Sequence, residues 1–303
     1  MTESSQAPEA SGAAAFDPPF TVDEPTEHTL PFVFNAPHSG AVYPPAFLAA
    51  SRLGGLALRR SEDAHVDRLF APVVDLGAPL MRAHFPRAFL DVNREPYELD
   101  PRMFDGRLPA FANTRSMRVA GGLGTIPRLV ADGQEIYRGR LPVEVAVERI
   151  ESLYKPYHRT LRGLIQRTAR RFGHAILIDC HSMPSSSLGR DEAARADVIL
   201  GDRFGTSTAP YVVDIAEEAF RRAGLSVTRN RPYAGGYITE HYGAPNAGVH
   251  ALQIEINRSL YMDEATIRPH VGFGDLQKAI AAAMAESFAR WAGWLDDWRV
   301  AAE

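Results

Sequence analysis

Apolar segments that end abruptly in polar residues constrain the fold of this chain most. Residues 176–178 are branched and apolar, and the run stops at Asp179 and His181; the apolar run at residues 32–36 stops in the same way at His38. Short apolar runs of this kind are typical of buried strands, and α/β proteins bind ligands beyond the ends of their strands. We therefore expect two histidines, flanked by small turn-forming residues, at strand ends.

A third segment, residues 251–258, alternates apolar and polar side chains. Alternate residues of a strand point to opposite faces, so one face is expected to carry polar and the other apolar side chains. The polar face would carry Gln253, Glu255 and Asn257, and the apolar face Leu252, Ile254 and Ile256. Two histidines and a glutamate on three strands are the side chains of a hydrolytic zinc site.

Composition indicates a globular protein with a large core. The chain has 303 residues, 45% hydrophobic and 23% charged, with one cysteine and a net charge of −4. This charge gives no electrostatic reason to expect nucleic acid or an anionic membrane as partner, and no window approaches the roughly 18 apolar residues of a membrane span. A single cysteine fits a reducing compartment. We expect a cytoplasmic protein with a small-molecule substrate; the oligomeric state stays open.

The order of elements predicts the fold class. Residues 1–28 lack both an apolar run and a basic leader and are expected to be a disordered tail, followed by one domain over residues 29–303. Strands are predicted at residues 31–36, 79–85, 88–92, 175–180, 197–201, 211–214, 226–229 and 249–257. Helices are predicted at residues 61–76, 141–172 (with a kink or break at Pro156), 215–223 and 263–298 (interrupted near 269–274), and residues 101–127 as a long excursion over the active-site face. Alternating strands and helices indicate an α/β fold with a mixed, mostly parallel central sheet flanked by helices.

His38 and His181 are the candidate metal ligands. Their small neighbours would let a metal and a substrate approach the backbone. Asp179 shares a strand face with His181 and could orient it. The alternative is a pair of hydrogen-bonded polar residues at strand ends. A third ligand could come from the group Glu62, Asp63, His65 and Asp67, although carboxylates also suit the first turn of a helix.

Glu255 is the candidate general base. An unpaired carboxylate on an otherwise apolar strand would be costly, and a zinc-bound water as its partner would explain its presence. A salt bridge with Arg94 or Arg258 is the competing explanation. Arg94, after Asn93, and Arg231 are candidates for binding a substrate carboxylate, since a guanidinium fits a carboxylate with two hydrogen bonds. Exposed arginines are common, so a surface charge is the alternative for each. Cys180 is expected to be a small core residue.

These segments together resemble the N-formylglutamate amidohydrolase (deformylase) family. The matching motifs, in order from about residue 30 to 290, are Pro37-His38-Ser39-Gly40, Ser61 to Phe70, Asp91-Val92-Asn93-Arg94, Asp179 to Met183, Gly235 to Thr239 and Gln253 to Arg258. The resemblance implies a zinc-carboxypeptidase-like α/β fold and zinc-dependent hydrolysis of N-formyl-L-glutamate to formate and L-glutamate in histidine degradation. Another divalent metal could replace zinc.

The resemblance also implies roles for individual residues. His38 and His181 become metal ligands, Glu255 the general base, and Asn93 with Arg94 the carboxylate-binding pair. Ala41 stands where a His-x-x-Glu ligand pair would need its glutamate, so the acidic ligand must come from elsewhere. The resemblance implies Asp63, because the family's aspartate recurs at that position of the motif. Two alternatives remain: a deacylase or carboxypeptidase for another N-acyl amino acid or small peptide, and a non-catalytic carboxylate-binding protein.

Overall fold

The computed structural model describes residues 13–130, 133–187 and 196–302, and the chain forms two compact units. The first contains the described residues of Met1–Thr21, His38–Glu62 and Ala83–Thr160, and the second those of Val22–Pro37, Asp63–Arg82 and Leu161–Glu303. The single catalytic domain over residues 29–303 stays a prediction. Over the described part of the chain, no helix combines the length and apolar character needed to cross a bilayer.

The strands of the described residues are β1 (Phe20–Asp23), β2 (Phe32–Ala36), β3 (Leu80–Ala83), β4 (Phe104–Asp105), β5 (Leu129–Val130), β6 (Gln134–Glu135), β7 (Leu141–Pro142), β8 (Ala175–Met183), β9 (Val198–Gly201), β10 (Val227–Arg229), β11 (Val249–Asn257), β12 (Met262–Asp263) and β13 (Arg268–Pro269). Seven of them form the main sheet, in the order β1-β3-β2-β8-β11-β9-β10. The pairs β2–β3, β2–β8, β8–β11 and β9–β10 are parallel, and β9–β11 is antiparallel. The predicted mixed, mostly parallel sheet is confirmed.

Helices pack against the sheet, as predicted. Side chains of α3, α7 and α9 share the main buried core with the strands, and α8 packs against β8 and β11. The helices are α1 (Pro45–Ala50), α2 (Gly55–Arg59), α3 (Val66–Phe70), α4 (Met117–Ala120), α5 (Val143–Arg149), α6 (Lys155–Phe172), α7 (Pro210–Arg222), α8 (Tyr237–Tyr242) and α9 (Phe273–Ala302).

The two faces of the central strands differ in chemistry. One face belongs to the main core and includes Cys180 of β8, as predicted, together with Ile176, Ile178, Leu252, Ile254 and Ile256. The residues between them point to the other face because side chains alternate along a strand. That second face therefore carries Asp179, His181, Gln253 and Glu255, and it is the face on which the candidate site is built.

Two predicted strands are wrong. Residues 88–92 form turns, in which the amide of Phe89 donates to the carbonyl of Pro86 at 2.9 Å. Residues 211–214 belong to α7, which has Pro210 in its first turn. A short run of branched residues suits the inner face of a helix as well as a strand, and here buried side chains recur at helical spacing: Val212, Val213, Ala216, Ala219 and Phe220.

The helix predicted at residues 61–76 is shorter in the structure. The Ser61 hydroxyl donates to the carbonyl of Leu58 at 3.2 Å and does not cap a helix. His65 adopts a left-handed conformation with φ 66°, so α3 begins only after it and continues as a 3₁₀ turn at Ala71–Val73. The acidic residues of this segment are therefore not first-turn residues, except for Asp67.

Other boundaries also shift. The first part of predicted helix 263–298 forms the β12–β13 pair, and the helix itself, α9, begins later. Predicted helix 215–223 begins earlier, as α7, and Gly224 follows its end with φ 87°. A π-helical segment, Ile150–Tyr154, precedes Pro156, which lacks the N–H that a regular helix needs. The helical disturbance therefore lies where Pro156 predicted it.

Regular structure also begins earlier in the chain than the composition predicts. Residues 1–12 of the predicted disordered tail lie outside the described residues, but the later part of the same predicted tail contains the strand β1. The ring of Phe16 packs edge-on against Phe89 at 5.3 Å, and that of Phe20 against Tyr157 at 5.4 Å. These two aromatic contacts explain why a polar, proline-containing segment is held in place.

Candidate active site

Buried polar residues face each other on the neighbouring parallel strands β8 and β11. In the register of this pair, Gln253 lies opposite Asp179, and Glu255 lies opposite His181. Each of the four residues is at most 6% exposed. Because buried polar groups without partners are costly, their hydrogen bonds indicate what the site is built to hold.

His181 lies between two carboxylates. Its Nε2 is 2.8 Å from Asp179 Oδ2, and its Nδ1 is 2.9 Å from Asp63 Oδ2. The amide of Asn35 donates to the other oxygen of Asp179 at 2.8 Å, which fixes that carboxylate in turn. Burial alone lowers the pKa of His181, but Asp179 and Asp63 outweigh burial and raise the pKa well above its usual value. The two carboxylates therefore make this a place that favours a positive charge.

Asp63 is held from its other side by an arginine. Arg258 Nη2 donates to Asp63 Oδ1 at 2.9 Å, while Arg258 Nε donates to the hydroxyl of Ser182 at 3.1 Å. The two oxygens of Asp63 therefore have different partners. The sequence offered a salt bridge with Arg94 or Arg258 as the competing explanation for Glu255. In the structure, the guanidinium of Arg258 contacts Asp63 and Ser182.

The neighbours of Asp63 have separate partners. Glu62 receives three hydrogen bonds from Arg59 and one from Tyr43 at 2.6 Å. His65 Nε2 is 3.1 Å from a backbone carbonyl, and Asp67 is 3.6 Å from Arg82. Of these four candidates for a third ligand, Asp63 lies 2.9 Å from His181 Nδ1 and is grouped with both histidines as a possible metal site.

His38 is oriented by Asp91. Its Nε2 is 2.8 Å from Asp91 Oδ1, and Arg87 donates to Asp91 Oδ2 at 2.9 Å. Burial by itself raises the pKa of Asp91, but Arg87, Arg94 and His38 hold this pKa well below its usual value. An imidazole that gives one ring nitrogen to a carboxylate offers the other to a metal, so Nδ1 would be the ligand atom of His38.

A glycine permits the chain to turn after His38. A Cβ on Gly40 would lie 2.1 Å from the carbonyl oxygen of Phe85, closer than any real contact. The amide of Val42 donates to the carbonyl of His84 at 3.1 Å, which holds the backbone after His38 close to the backbone of His84 and Phe85. The close approach of the two backbone segments thus requires glycine at Gly40.

His38, Asp63 and His181 form a group that could hold a metal ion. One donor atom from each lies within 4.8 Å of the others, and all three residues are buried. Zinc binds imidazole nitrogen and carboxylate oxygen at about 2.0–2.2 Å, with three protein ligands in catalytic sites. The donor set of two imidazoles and one carboxylate fits such an ion, and both imidazoles have their Nε2 on a second carboxylate that orients the ring. Their assignment as ligands stays a prediction.

Glu255 is held in place through Gln253. The backbone N–H of Gly236 donates to Gln253 Oε1 at 2.7 Å, and Gln253 Nε2 donates to Glu255 Oε1 at 2.8 Å. Because an N–H can only donate, Gly236 decides which end of the Gln253 amide faces Glu255. Gly236 therefore acts on Glu255 through the side chain of Gln253.

Arg94 is buried and follows a turn. Its Nε donates to the carbonyl of Leu123 at 2.8 Å, and its Nη1 to the carbonyl of Asn93 at 2.7 Å. Nη2 is 3.6 Å from Asp91 Oδ2. Burial lowers the pKa of Arg94 to about 10, so the side chain remains a cation at neutral pH. Arg231, by contrast, is exposed and precedes a cis proline.

Several residues have supporting roles that the sequence did not predict. Each fixes a side chain of the candidate site: Asn35, Arg87, Asp91, Gln253 and Arg258. A signal existed for two of them, because Asn35 and Asp91 interrupt apolar runs. Asn35 contacts Asp179, 144 positions away, and Asp91 contacts His38, 53 positions away, so these pairings could not be read from the sequence.

The mixed sheet and its buried histidine–aspartate group define a candidate metal-binding α/β protein. Comparison with known proteins makes the assignment specific: the model of the N-formylglutamate amidohydrolase family matches residues 30–262. The chain belongs to this family.

Individual relatives agree over most of the chain. The chain is 32% identical to an N-formylglutamate deformylase of Pseudomonas aeruginosa, covering 86% of this chain and 94% of that protein. It is 30% identical to an N-formylglutamate deformylase of Pseudomonas putida, covering 78% of this chain and 83% of that protein. The crystal structure of N-formylglutamate amidohydrolase from Ralstonia eutropha JMP134 superimposes with a TM-score of 0.84 at 35% identity, covering 90% of this chain and 99% of that one.

Proposed function

We propose that this protein is a metal-dependent hydrolase that cleaves N-formyl-L-glutamate into formate and L-glutamate. Relatives with this substrate in their names are between 30% and 35% identical over most of the chain. The observation that carries the proposal is the buried group of His38, Asp63 and His181, with Glu255 opposite His181 in the sheet. A site of this kind can hold a metal ion that activates water for the hydrolysis of an amide, with a carboxylate nearby as the base.

The group His38, Asp63 and His181 would hold the ion, with zinc as the expected metal. A divalent ion there would polarise the formyl oxygen and lower the pKa of an attacking water to about 7. The carboxylates of Asp91 and Asp179 hold the imidazoles of His38 and His181 in the required orientation.

Glu255 moves the proton. It accepts a proton from the attacking water as the C–O bond forms, and it returns a proton to the nitrogen as the C–N bond breaks. The products are formate and the free amine of glutamate, and the proton removed from the water is the one that the amine nitrogen receives. The hydrogen bond from Gln253 keeps the Glu255 carboxylate in one orientation through both steps.

Arg94 is proposed to bind a substrate carboxylate, with Asn93 beside it and Arg231 as a further anchor. A guanidinium whose Nε and Nη1 are bound to carbonyls is preoriented, so little side-chain entropy is lost when a carboxylate binds. We further propose that the protein works in the cytoplasm, on N-formylglutamate formed in histidine breakdown, which is the role that the family resemblance implies.

A formate-release assay tests the proposal. Zinc-loaded protein should release formate from N-formyl-L-glutamate with a kcat/KM roughly 10–100 times that for acetate release from N-acetyl-L-glutamate. Faster acetate release, or cleavage of a dipeptide, would favour the deacylase or carboxypeptidase alternative. Tight substrate binding without any product would favour a carboxylate-binding protein and overturn the proposal.

Replacing Arg94 by lysine is expected to raise KM for N-formylglutamate by about 10–100-fold with little change in kcat. Lysine keeps the charge but loses the planar fork, and hydrogen bonds to charged groups contribute roughly 1.5–3 kcal/mol. Steady-state kinetics check the result, with the exposed Arg115→Lys as the matched control. An unchanged KM in a folded Arg94→Lys protein would remove Arg94 from substrate binding.

A further inference from the structure

Arg258 joins two parts of the candidate metal group. It follows the last residue of β11, opens a 3₁₀ turn (Arg258–Leu260) and is only 7% exposed. Its Nη2 donates to Asp63 Oδ1 at 2.9 Å, and its Nε donates to the hydroxyl of Ser182 at 3.1 Å. Ser182 is the residue directly after His181. One guanidinium therefore binds the side chain of one proposed ligand and the neighbour of another.

Asp63 depends on such contacts because it lies outside regular secondary structure. The turn after β11 holds this part of the chain at two points. Arg258 binds the Asp63 side chain, and the buried hydroxyl of Tyr261 donates to the carbonyl of Ala64 at 3.0 Å. The position of the Asp63 carboxylate is consequently set by residues almost 200 positions later in the sequence, as the separation of 195 between Asp63 and Arg258 shows.

The geometry also separates the two oxygens of Asp63. Oδ1 is bound to Arg258, and Oδ2 lies 2.9 Å from His181 Nδ1. A carboxylate that is free to rotate could present either oxygen, or both, to a metal. With Oδ1 on the guanidinium, Oδ2 is the oxygen directed at the ligand group.

We propose that Arg258 is a positioning residue that presents Oδ2 of Asp63 for metal binding and aligns it with His181. This inference rests on the proposed metal-dependent function. A purely structural role, in which Arg258 only compensates a buried carboxylate charge, differs in one respect. Under the purely structural role, lysine would replace Arg258 fully, because it carries the same charge. Under the proposed role it would replace Arg258 only in part, because it cannot reach both Asp63 and Ser182 with a rigid fork.

The test measures zinc affinity directly, by competition with a chromogenic chelator and without substrate. Arg258→Gln is expected to weaken zinc binding by about 10–100-fold, the usual effect of removing a group that orients a metal ligand. Arg258→Lys should recover part of this loss but not all of it. The matched control is Arg268→Gln, which changes an exposed arginine on β13. KM for N-formylglutamate, measured at saturating zinc, should remain within about twofold of wild type in Arg258→Lys.

Thermal unfolding of the metal-free proteins guards against a trivial result. If Arg258→Gln does not fold, Arg258→Lys and Tyr261→Phe decide, and Tyr261→Phe should weaken zinc binding severalfold because it releases Ala64 from the same turn. Zinc affinity equal to wild type in folded Arg258→Lys and Tyr261→Phe would overturn the proposal. Wild-type protein that binds no zinc would overturn the metal-dependent function and this inference with it, whereas a normal wild type with unaffected variants would overturn only the role of Arg258.

Discussion

Stripping the protein of divalent metal is expected to abolish formate release, and adding zinc or cobalt should restore it. The proposed base and substrate-binding side chains include no group that could lower the pKa of the attacking water to about 7. The expected loss is therefore at least on the order of a hundredfold. Dialysis against a chelator, followed by elemental analysis and assay, measures it.

The add-back experiment contains its own controls. Magnesium, which prefers oxygen ligands and octahedral geometry, should restore little activity at a site with two imidazoles. Circular dichroism of the metal-free protein should show a folded chain, because the main core involves α3, α7, α9 and the sheet and none of the proposed ligands. Full activity in protein shown to be metal-free would rule the mechanism out.

Glu255→Gln is expected to lower kcat by about 10²–10⁴-fold while zinc binding is retained. Glutamine has nearly the same size and can keep a hydrogen bond with Gln253, but it cannot accept the proton of the attacking water. Glu255 is also not one of the three residues grouped for a metal, so the affinity for zinc should stay within a few-fold of wild type. Kinetics and chelator competition on the same preparation separate the two effects.

Glu240→Gln provides the comparison for Glu255→Gln. Glu240 is an exposed carboxylate of α8 whose partner is Arg203 at 2.7 Å, and its replacement should leave kcat unchanged. A Glu255→Gln protein with nearly normal turnover would exclude Glu255 as the base. A Glu255→Gln protein that has also lost zinc would instead place Glu255 among the ligands.

Much of the sheet could be predicted because its signals are local. The strand predicted at residues 249–257 matches β11, and the alternation within it predicted both of its faces. Cys180 was correctly assigned to the core. The failures have a common cause: at residues 88–92 and 211–214 a short apolar run fits a buried turn or helix as well as a strand. In such a run, burial by neighbouring elements selects the conformation, and the run itself carries no information about those neighbours.

The candidate site shows the same division. The proposed roles of His38, His181 and Glu255 were suggested by residue types at or near strand ends, whereas local patterns do not favour Asp63 over Glu62 or Asp67. The family resemblance pointed to Asp63. The contacts support the same choice, because Glu62 is hydrogen-bonded to Arg59 and Tyr43, whereas Asp63 contacts His181 and Arg258.

The sequence alone determined which side chains alternate along β11, and hence which polar residues share the face opposite the main core. These properties depend on backbone geometry within a few residues. Only the tertiary structure decided which carboxylate meets His181 and which cation holds that carboxylate. Those contacts join residues 118 and 195 positions apart, and the energy that selects them comes from burial and hydrogen bonding in the folded chain.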